Sequence, residues 1–235
     1  MRSLIIAVCQ PRVTALDVAT NATRHAASVR AASARVVVFP EMSLTGYELE
    51  APTVAPDDPR LAPLVEACAA TDTVALVGAP VEGPYIGMLA IDGDGARVAY
   101  RKQHPHSSEE RFLPGPSPEV LEVDGWRLGL AICRDTGIAE HVAETAALGI
   151  DAYVAGVVDP PAGEAVAAER ARRVNQEYGV WVAVSSFAGP TGGGYAETAG
   201  RSGIWAPDGR VEARAGRSPG EIARATMVAS SLARL

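Results

Sequence analysis

Cysteine is scarce in this sequence, and no two cysteines have the spacing of a metal-binding or redox motif. The three that occur, Cys9, Cys68 and Cys133, lie far apart, and no Cys-x-x-Cys is present. An odd number of widely spaced cysteines argues against both a disulfide framework and a zinc ribbon. We therefore expect a reducing, cytoplasmic environment. The pair His104-Pro-His106 has no further His or Cys nearby, so we expect no metal.

Long apolar stretches and excess positive charge are also absent. No apolar run approaches the length of a membrane span, and the first, Leu4 to Val8, is shorter than the core of a secretion signal. The net charge of -7 and the lack of a Lys/Arg cluster argue against nucleic acid as the main partner. We therefore expect a protein that contacts neither membranes nor nucleic acid.

What the sequence does contain is an alternation of short apolar runs, typical of buried strands, with helical patterns. Helices are predicted over residues 17–34, 61–71, 138–148 and 164–178. Asp-Gly turns at 92–95 and 124–125 predict hairpins, which would make the sheet mixed rather than purely parallel. No linker or repeat period interrupts the pattern, so we expect one domain over residues 1–235.

Three residues with complementary chemistry each follow directly after a predicted strand. Glu41 follows a strand that ends at Pro40, and Lys102 and Cys133 follow two others. Ligand sites of open α/β sheets lie beyond the carboxyl ends of the strands. A carboxylate, an ammonium and a thiol at three such ends therefore predict a shared site. Taken singly, Glu41 also fits a loop carboxylate, and Cys133 fits a small buried hydrophobe.

The stretch around Cys133 predicts a strand, a sharp turn and a helix. Apolar residues run from Leu128 to Ile132, polar residues and Gly137 follow at once, and a helical pattern covers 138–148. A turn of this kind lifts one side chain out of the sheet edge and holds it over a cleft. A thiol in that place, close to a helix N-terminus, is a candidate nucleophile with a lowered pKa.

These stretches resemble the nitrilase superfamily of carbon–nitrogen hydrolases, which use a Glu-Lys-Cys triad, and the resemblance covers essentially residues 3 to 226. The motifs that carry it are Phe39-Pro-Glu-Met-Ser-Leu-Thr-Gly-Tyr47, Tyr100-Arg-Lys-Gln-His104 and Gly129-Leu-Ala-Ile-Cys-Arg-Asp135. Supporting motifs are Arg170-Ala-Arg-Arg-Val-Asn175 and Gly203-Ile-Trp-Ala-Pro-Asp-Gly209. The resemblance implies an α/β (α+β) fold, a four-layer α-β-β-α sandwich of two mixed six-stranded sheets flanked by helices. It also implies a homodimer or a higher homo-oligomer.

The resemblance further implies the role of each catalytic group. Cys133 would be the nucleophile, Glu41 the proton carrier, and Lys102 with the backbone N–H of Arg134 would hold the oxyanion. No cofactor or metal enters this scheme. The family also has a second glutamate between its Lys and its Cys. Glu110 matches it best, because it stands eight residues after Lys102 and just before the stretch 112–115, and Glu109 is the alternative.

Substrate class follows less directly from the sequence. Tyr47, His104 and Glu109 are the predicted substrate-binding residues. The family's nitrilases favour Trp and Glu after the cysteine, whereas Arg134 and Asp135 stand here. We therefore expect an amidase or N-carbamoyl hydrolase that acts on a small-molecule amide through a cysteine thioester and releases ammonia or an amine. The alternatives are nitrile hydrolysis by the same triad, or a non-catalytic binding or regulatory protein.

Overall fold

The computed structural model of the protein describes residues 2–229 and contains, within that range, twelve strands and four α-helices. The helices are α1 (Val18–Ala32), α2 (Ala62–Thr71), α3 (Ala139–Ala147) and α4 (Glu164–Tyr178). The strands are β1 (Ser3–Cys9), β2 (Val36–Val38), β3 (Val74–Val81), β4 (Tyr85–Asp92), β5 (Gly95–Arg101), β6 (Val120–Val123), β7 (Trp126–Ile132), β8 (Ala152–Val157), β9 (Trp181–Ser186), β10 (Gly203–Trp205), β11 (Val211–Arg214) and β12 (Ile222–Val228). The predicted domain over 1–235 also includes residues 1 and 230–235, which lie outside the described residues.

The strands form two mixed six-stranded sheets with related connectivity. Their orders are β12-β1-β2-β3-β4-β5 and β11-β10-β9-β8-β7-β6. Parallel strands form the centre of each sheet, β1 to β3 in the first and β7 to β9 in the second. Antiparallel strands extend both sheets on either side. The predicted sandwich of two mixed sheets is confirmed.

Central strands are buried on both faces, which explains their unbroken apolar sequences. In β2, Val36 and Val38 join a cluster to which both sheets contribute, and Val37 joins a second cluster with α1 and α2. Successive side chains of a strand point to opposite faces, so one run of three valines serves two cores. The sheets therefore pack against each other on one face and against helices on the other.

Each pair of helices covers the outer face of one sheet. Val29 of α1 and Leu64 of α2 lie in the cluster with the first sheet, and Val142 of α3 and Val174 of α4 lie in the cluster with the second. The predicted helices 17–34, 61–71, 138–148 and 164–178 agree with the observed bounds to within two residues. None of the helices between residues 2 and 229 is both long and apolar enough to span a membrane.

The sheet topology brings separate strand ends together. Strand β4 runs antiparallel to β3 and β5 runs antiparallel to β4, so β5 ends at the same edge of the sheet as β2. Glu41 follows β2 and Lys102 follows β5, and the two side chains meet at this edge. Cys133 follows β7 of the second sheet at the same end of the sandwich, where its thiol and Glu41 interact.

Candidate active site

The loop that carries Glu41 is held between two strands that lack side chains at the points of contact. A Cβ added to Gly78 of β3 would lie 2.3 Å from the backbone nitrogen of Met42, and one added to Gly156 of β8 would lie 2.6 Å from the carbonyl oxygen of Phe39. Only glycine allows another backbone to approach this closely. One glycine comes from each sheet, so the sandwich itself fixes the position of Glu41.

Helix α1 supports the same loop from the side. His25 Nε2 lies 2.9 Å from Ser43 Oγ, and Asn21 donates a hydrogen bond of 2.9 Å to the carbonyl oxygen of Leu44. Both side chains are fully buried. Burial lowers the pKa of His25 to about 4, so this histidine is neutral and serves as a hydrogen-bonding support. The loop around Glu41 is therefore held on three sides.

Lys102 lies between two buried carboxylates. Its Nζ donates to Glu41 Oε1 at 2.7 Å and to both carboxylate oxygens of Glu109 at 2.8 Å. The side chains of all three residues are at most 1% exposed. Burial by itself would lower the pKa of Lys102, but Glu41 and the other acidic neighbours outweigh it and raise this pKa above its usual value. Lys102 is thus a permanent ammonium inside the site.

Of the two candidate glutamates, Glu109 contacts Lys102 and Glu110 does not, so the preference for Glu110 is corrected in favour of the alternative, Glu109. Glu109 also accepts hydrogen bonds from Tyr47 Oη at 2.5 Å and from the His106 N–H at 2.5 Å, whereas Glu110 is exposed to solvent. The two neighbours lie in an irregular turn between residues 103 and 115, where no periodicity indicates which side chain faces inward. Distance from Lys102 along the chain was therefore not a sufficient guide.

The Glu41 carboxylate combines a raised pKa with one unoccupied oxygen. Burial raises the pKa of Glu41 to about 7, the positive charge of Lys102 opposes the rise, and the charge of Glu109 adds to it. Oε1 accepts from Lys102, while Oε2 is buried and accepts no hydrogen bond from the described residues. A buried carboxylate oxygen without a donor is costly, and it is available to receive a proton at neutral pH.

Cys133 begins a single 3-10 turn, Cys133–Gly137, rather than the helix itself. Its φ of 45° is rare for a residue with a side chain, and its Sγ lies 3.5 Å from the carbonyl oxygen of Val158. Burial raises the pKa of the Cys133 thiol well above its usual value, the charge of Glu41 raises it further, and Lys102 opposes both. This direction is opposite to the lowered pKa expected for a thiol close to a helix N-terminus.

Of the remaining predicted site residues, one contacts the group formed by Glu41, Lys102 and Glu109, and the others lie around it. Tyr47 is buried and contacts Glu109, so it supports a carboxylate of the site. The backbone N–H of His104 donates to Asp135 Oδ1 at 2.9 Å, and the His104 side chain is half-buried. The Arg134 side chain is exposed and donates to the carbonyl oxygen of Pro105 at 3.4 Å, which leaves only its backbone near the nucleophile. Substrate contacts by Tyr47 and His104 stay predictions.

The loop 189–199 packs against Tyr47, in the range 187–200 that the sequence indicates as one of the pocket walls. Tyr47 N donates to Thr191 Oγ1 at 3.0 Å, and the ring of Tyr195 lies 5.8 Å from the ring of Tyr47. Burial raises the pKa of Tyr195, and the nearby acidic groups, Cys133 first among them, add to this. The run 192–194 appears in the sequence as a flexible glycine linker, yet a Cβ at Gly192 would lie 2.3 Å from the Tyr47 carbonyl oxygen.

Iodoacetamide should distinguish Cys133 from the other two thiols. Cys9 and Cys68 are buried, and burial raises their pKa values to about 12 and about 11. Cys133 is half-buried and has Glu41 as a neighbouring base. We expect it to be alkylated at least ~10-fold faster in the native protein. Peptide mass spectrometry would measure the rates, with the unfolded protein as control; equal native labelling of all three would contradict an activated thiol.

Among residues 2–229, no three His, Cys, Asp or Glu side chains are grouped so that they could hold a metal ion. The chemistry of the site therefore has to be derived from a thiol, an ammonium and two carboxylates. These are a nucleophile, a fixed positive charge and a proton acceptor in contact with one another, which is the set of groups that acyl transfer requires.

Comparison with known proteins finds relatives over most of the chain. A profile of the family described as Carbon-nitrogen hydrolase matches residues 5–235. A Pseudomonas protegens protein described as "Hydrolase in pqqF 5'region" is 31% identical over 222 residues, which cover 88% of this chain and 76% of that protein.

Solved structures share the fold at lower identity. Nit3 of Saccharomyces cerevisiae, a member of branch 10 of the nitrilase superfamily, has a TM-score of 0.84 and 20% identity, covering 96% of this chain and 90% of that chain. A variant of the amidase from Nesterenkonia sp. AN1 in complex with butyramide has a TM-score of 0.82 and 22% identity, covering 95% and 90%. The profile match over almost the whole sequence shows that the chain belongs to the carbon–nitrogen hydrolase family.

Proposed function

We propose that the protein is an amidase or N-carbamoyl hydrolase that hydrolyses a small-molecule amide through a thioester on Cys133. The observation that carries this proposal is the Glu41 carboxylate, which has one oxygen bound to Lys102 and the other buried without a donor. Its pKa of about 7 suits a group that both accepts and returns a proton near neutral pH. The amidase of the same fold that binds butyramide supports an amide as the substrate class.

In the first half of the reaction, the Cys133 thiol passes its proton to Glu41, and the sulfur attacks the amide carbon. The negative charge that develops on the amide oxygen is stabilised by the Lys102 ammonium and the backbone N–H of Arg134. One such donor is worth ~3 kcal/mol. When the carbon–nitrogen bond breaks, Glu41 returns the proton to the leaving nitrogen, and ammonia or an amine departs. Glu109 keeps Lys102 in position through both of its oxygens.

The second half hydrolyses the thioester by the same groups. Glu41 takes a proton from water as its oxygen attacks the thioester carbon, and the oxyanion again forms beside Lys102. The carbon–sulfur bond then breaks, the acid product leaves, and the sulfur recovers its proton from Glu41. The sum is one amide and one water converted to one acid and one ammonia or amine.

A screen for ammonia release tests the proposal directly. Butyramide and other short amides, N-carbamoyl compounds and the matching nitriles would be incubated with the protein, and Cys133→Ala would be the control for contaminating activity. We expect release from amides or carbamoyl compounds. Release from nitriles alone would favour nitrile hydrolysis, and no release from any compound would favour a binding or regulatory role.

The neighbouring glutamates provide a matched pair of variants. Glu109→Gln removes the charge that binds Lys102, whereas Glu110→Gln changes an exposed residue of the same type. Hydrogen bonds to charged groups contribute about 1.5–3 kcal/mol, so kcat/KM of Glu109→Gln should fall about 10- to 100-fold. Glu110→Gln should stay within about ±0.5 kcal/mol of wild type in stability, with kcat/KM changed less than about twofold. Steady-state kinetics would measure kcat/KM of the two variants, and thermal melts would measure their stability. A larger loss of kcat/KM in Glu110→Gln than in Glu109→Gln would restore Glu110 as the second glutamate.

We also propose that the protein is a homodimer or a larger homo-oligomer, in keeping with the family resemblance. Exposed apolar side chains lie at the ends of the helices on the second sheet, Leu148 after α3 and Val166 in α4. Such side chains are the kind that a symmetric interface covers. Light scattering at micromolar concentration should give at least twice the mass of the 24.4 kDa chain, and a stable monomer would contradict the proposal.

A further inference from the structure

Asp135 is a fully buried carboxylate that no cation neutralises. Its exposed fraction is 0%, and within residues 2–229 it forms no ion pair with an arginine or lysine. Instead it accepts three hydrogen bonds, from the Ile132 N–H at 3.0 Å, the Tyr100 hydroxyl at 2.7 Å and the His104 N–H at 2.9 Å. A carboxylate that is expensive to bury but fully hydrogen-bonded can fix the position of every group it contacts.

The three donors come from both sides of the active site. Ile132 directly precedes the nucleophile, while Tyr100 and His104 stand two residues before and two residues after Lys102. Asp135 itself belongs to the turn that begins at Cys133. One side chain therefore joins the segment that carries the nucleophile to the segment that carries the ammonium, although these segments belong to different sheets.

The direction of each hydrogen bond beyond Asp135 follows from counting protons. A carboxylate only accepts, so the single proton of Tyr100 points to Asp135, and the Tyr100 oxygen must accept from His141 Nε2 at 2.9 Å. His141 Nδ1, at 3.0 Å, is then left to accept from the Tyr153 hydroxyl. Burial lowers the pKa of His141, which agrees with a neutral ring that carries its proton on Nε2. The chain of donors runs in one direction from Tyr153 to Asp135.

We propose that Asp135 and Tyr100 are positioning residues that hold Lys102 at working distance from Cys133. His141 donates to the Tyr100 oxygen, which leaves the Tyr100 proton for Asp135. The inference rests on the proposed roles of Lys102 and Cys133. Its physical basis is that a displacement of about 1 Å between reacting groups can cost ~10²-fold in rate, and that loss of a supporting hydrogen bond permits such a displacement.

Two variants remove the link and one matched variant preserves it. Asp135→Asn turns one acceptor oxygen into a donor, and Tyr100→Phe deletes one hydroxyl while Asp135 keeps its charge. Tyr153→Phe deletes a buried hydroxyl of the same kind at the far end of the chain of donors, where the hydroxyl is hydrogen-bonded to His141. If this chain of hydrogen bonds were only structural, both Tyr→Phe variants would lower the melting temperature, and their kcat values would be affected to the same extent.

We expect Asp135→Asn and Tyr100→Phe to lower kcat about 10- to 100-fold with KM changed less than about threefold, the range seen when supporting partners are lost. Alkylation of Cys133 should slow in the same two variants. Tyr153→Phe should keep kcat within about threefold of wild type. Unchanged kcat and alkylation in Tyr100→Phe, or an equal loss of kcat in Tyr153→Phe, would overturn the proposal. Should Asp135→Asn fail to fold, Tyr100→Phe decides.

Nitrogen NMR of the His141 ring gives a readout that needs no substrate. The wild-type ring should be neutral, with the proton on Nε2, at pH 7. In Tyr100→Phe the acceptor for this proton is lost. The nitrogen chemical shifts of the ring should then change toward those of the other tautomer or of a mixture of the two. A wild-type ring protonated on Nδ1 would overturn the proposed direction of the chain. Because this measurement and the alkylation rates require no amide turnover, they distinguish failure of the positioning role from failure of the proposed amidase function.

Discussion

Glu41→Gln should lower kcat/KM by at least ~10², or ~2.7 kcal/mol of transition-state stabilisation, and leave the fold intact. Glutamine has nearly the same size, and its carbonyl oxygen can still accept the hydrogen bond from Lys102 that Glu41 Oε1 now accepts at 2.7 Å. What disappears is the buried oxygen that is free to take a proton. Burial still raises the pKa of Cys133 in this variant, and no neighbouring base is left to take the thiol proton.

The pH dependence provides a second measurement on the same variant. The pKa of Glu41 is raised to about 7, so Glu41 is protonated below that pH and cannot act as a base. Wild-type kcat/KM should therefore fall as pH decreases through about 7, and this acid limb should be missing from the residual activity of Glu41→Gln.

A suitable control is Glu50→Gln, since this glutamate lies in the same region of the chain with its side chain 93% exposed. It should change kcat/KM less than about twofold and stability by no more than about ±0.5 kcal/mol. If Glu41→Gln retained more than about a tenth of wild-type activity, general base catalysis of 10²–10⁴ could not be assigned to Glu41. The base would then lie elsewhere.

Lys102→Met should affect stability as well as activity. It leaves Glu41 and Glu109, both buried, without the ammonium that binds them. Removing one partner of a buried ion pair costs about 3–5 kcal/mol, because an uncompensated charge stays behind. Loss of the oxyanion donor should lower kcat/KM by about 10² to 10³. Urea unfolding and steady-state kinetics would measure the two effects separately.

The double variant Lys102→Met/Glu109→Gln separates lost charge compensation from lost packing. Neutralising Glu109 should restore part of the stability of Lys102→Met, although Glu109→Gln alone destabilises the protein. Non-additivity of about 0.5–3 kcal/mol is typical of residues in one network. If the two losses simply added, Lys102 would contribute packing rather than charge. Restored stability without restored activity is the expected result, because the oxyanion donor is still missing.

The pH dependence of Lys102→Met stability follows from the same argument. Without the ammonium, the pKa of Glu41 should rise above its wild-type value of about 7. A carboxyl with a raised pKa in the folded state contributes stability that is fully present below its unfolded pKa and lost as pH rises through the folded pKa. Below about pH 7 Glu41 is protonated in both folded proteins, so Lys102→Met should lose stability relative to wild type only as pH rises from about 7 toward 9. A constant difference across this range would contradict the assignment.

Residue composition also distinguishes Lys102, independently of the sequence patterns that predict strands and turns. It is the single lysine in the chain, among 20 arginines. Arginine presents a planar fork, whereas lysine presents a compact point charge that fits between two carboxylates. A chain that uses arginine at every other cationic position and lysine at one fully buried position indicates that the geometry of that position requires an ammonium.

The sequence by itself determined the fold class and the elements that surround the site. Unbroken apolar runs such as Val36–Val38 are possible only for strands buried on both faces, so two sheets with helical covers were predictable. Glu41, Lys102 and Cys133 were found because each ends a strand, and strand ends are a local feature of the chain. Cys9 lies in a strand and Cys68 in a helix, and both are buried.

Only the tertiary structure decided which glutamate faces Lys102 and what the state of the thiol is. Glu109 and Glu110 stand in an irregular turn, where side-chain direction depends on distant partners such as Tyr47, which lies 62 residues from Glu109 in sequence. The pKa of Cys133 depends on burial and on a carboxylate from the other sheet. The sequence pattern of a strand shows which of its faces is buried. The electrostatics of a site and the direction of its side chains arise from contacts between elements, so no local sequence pattern contains them.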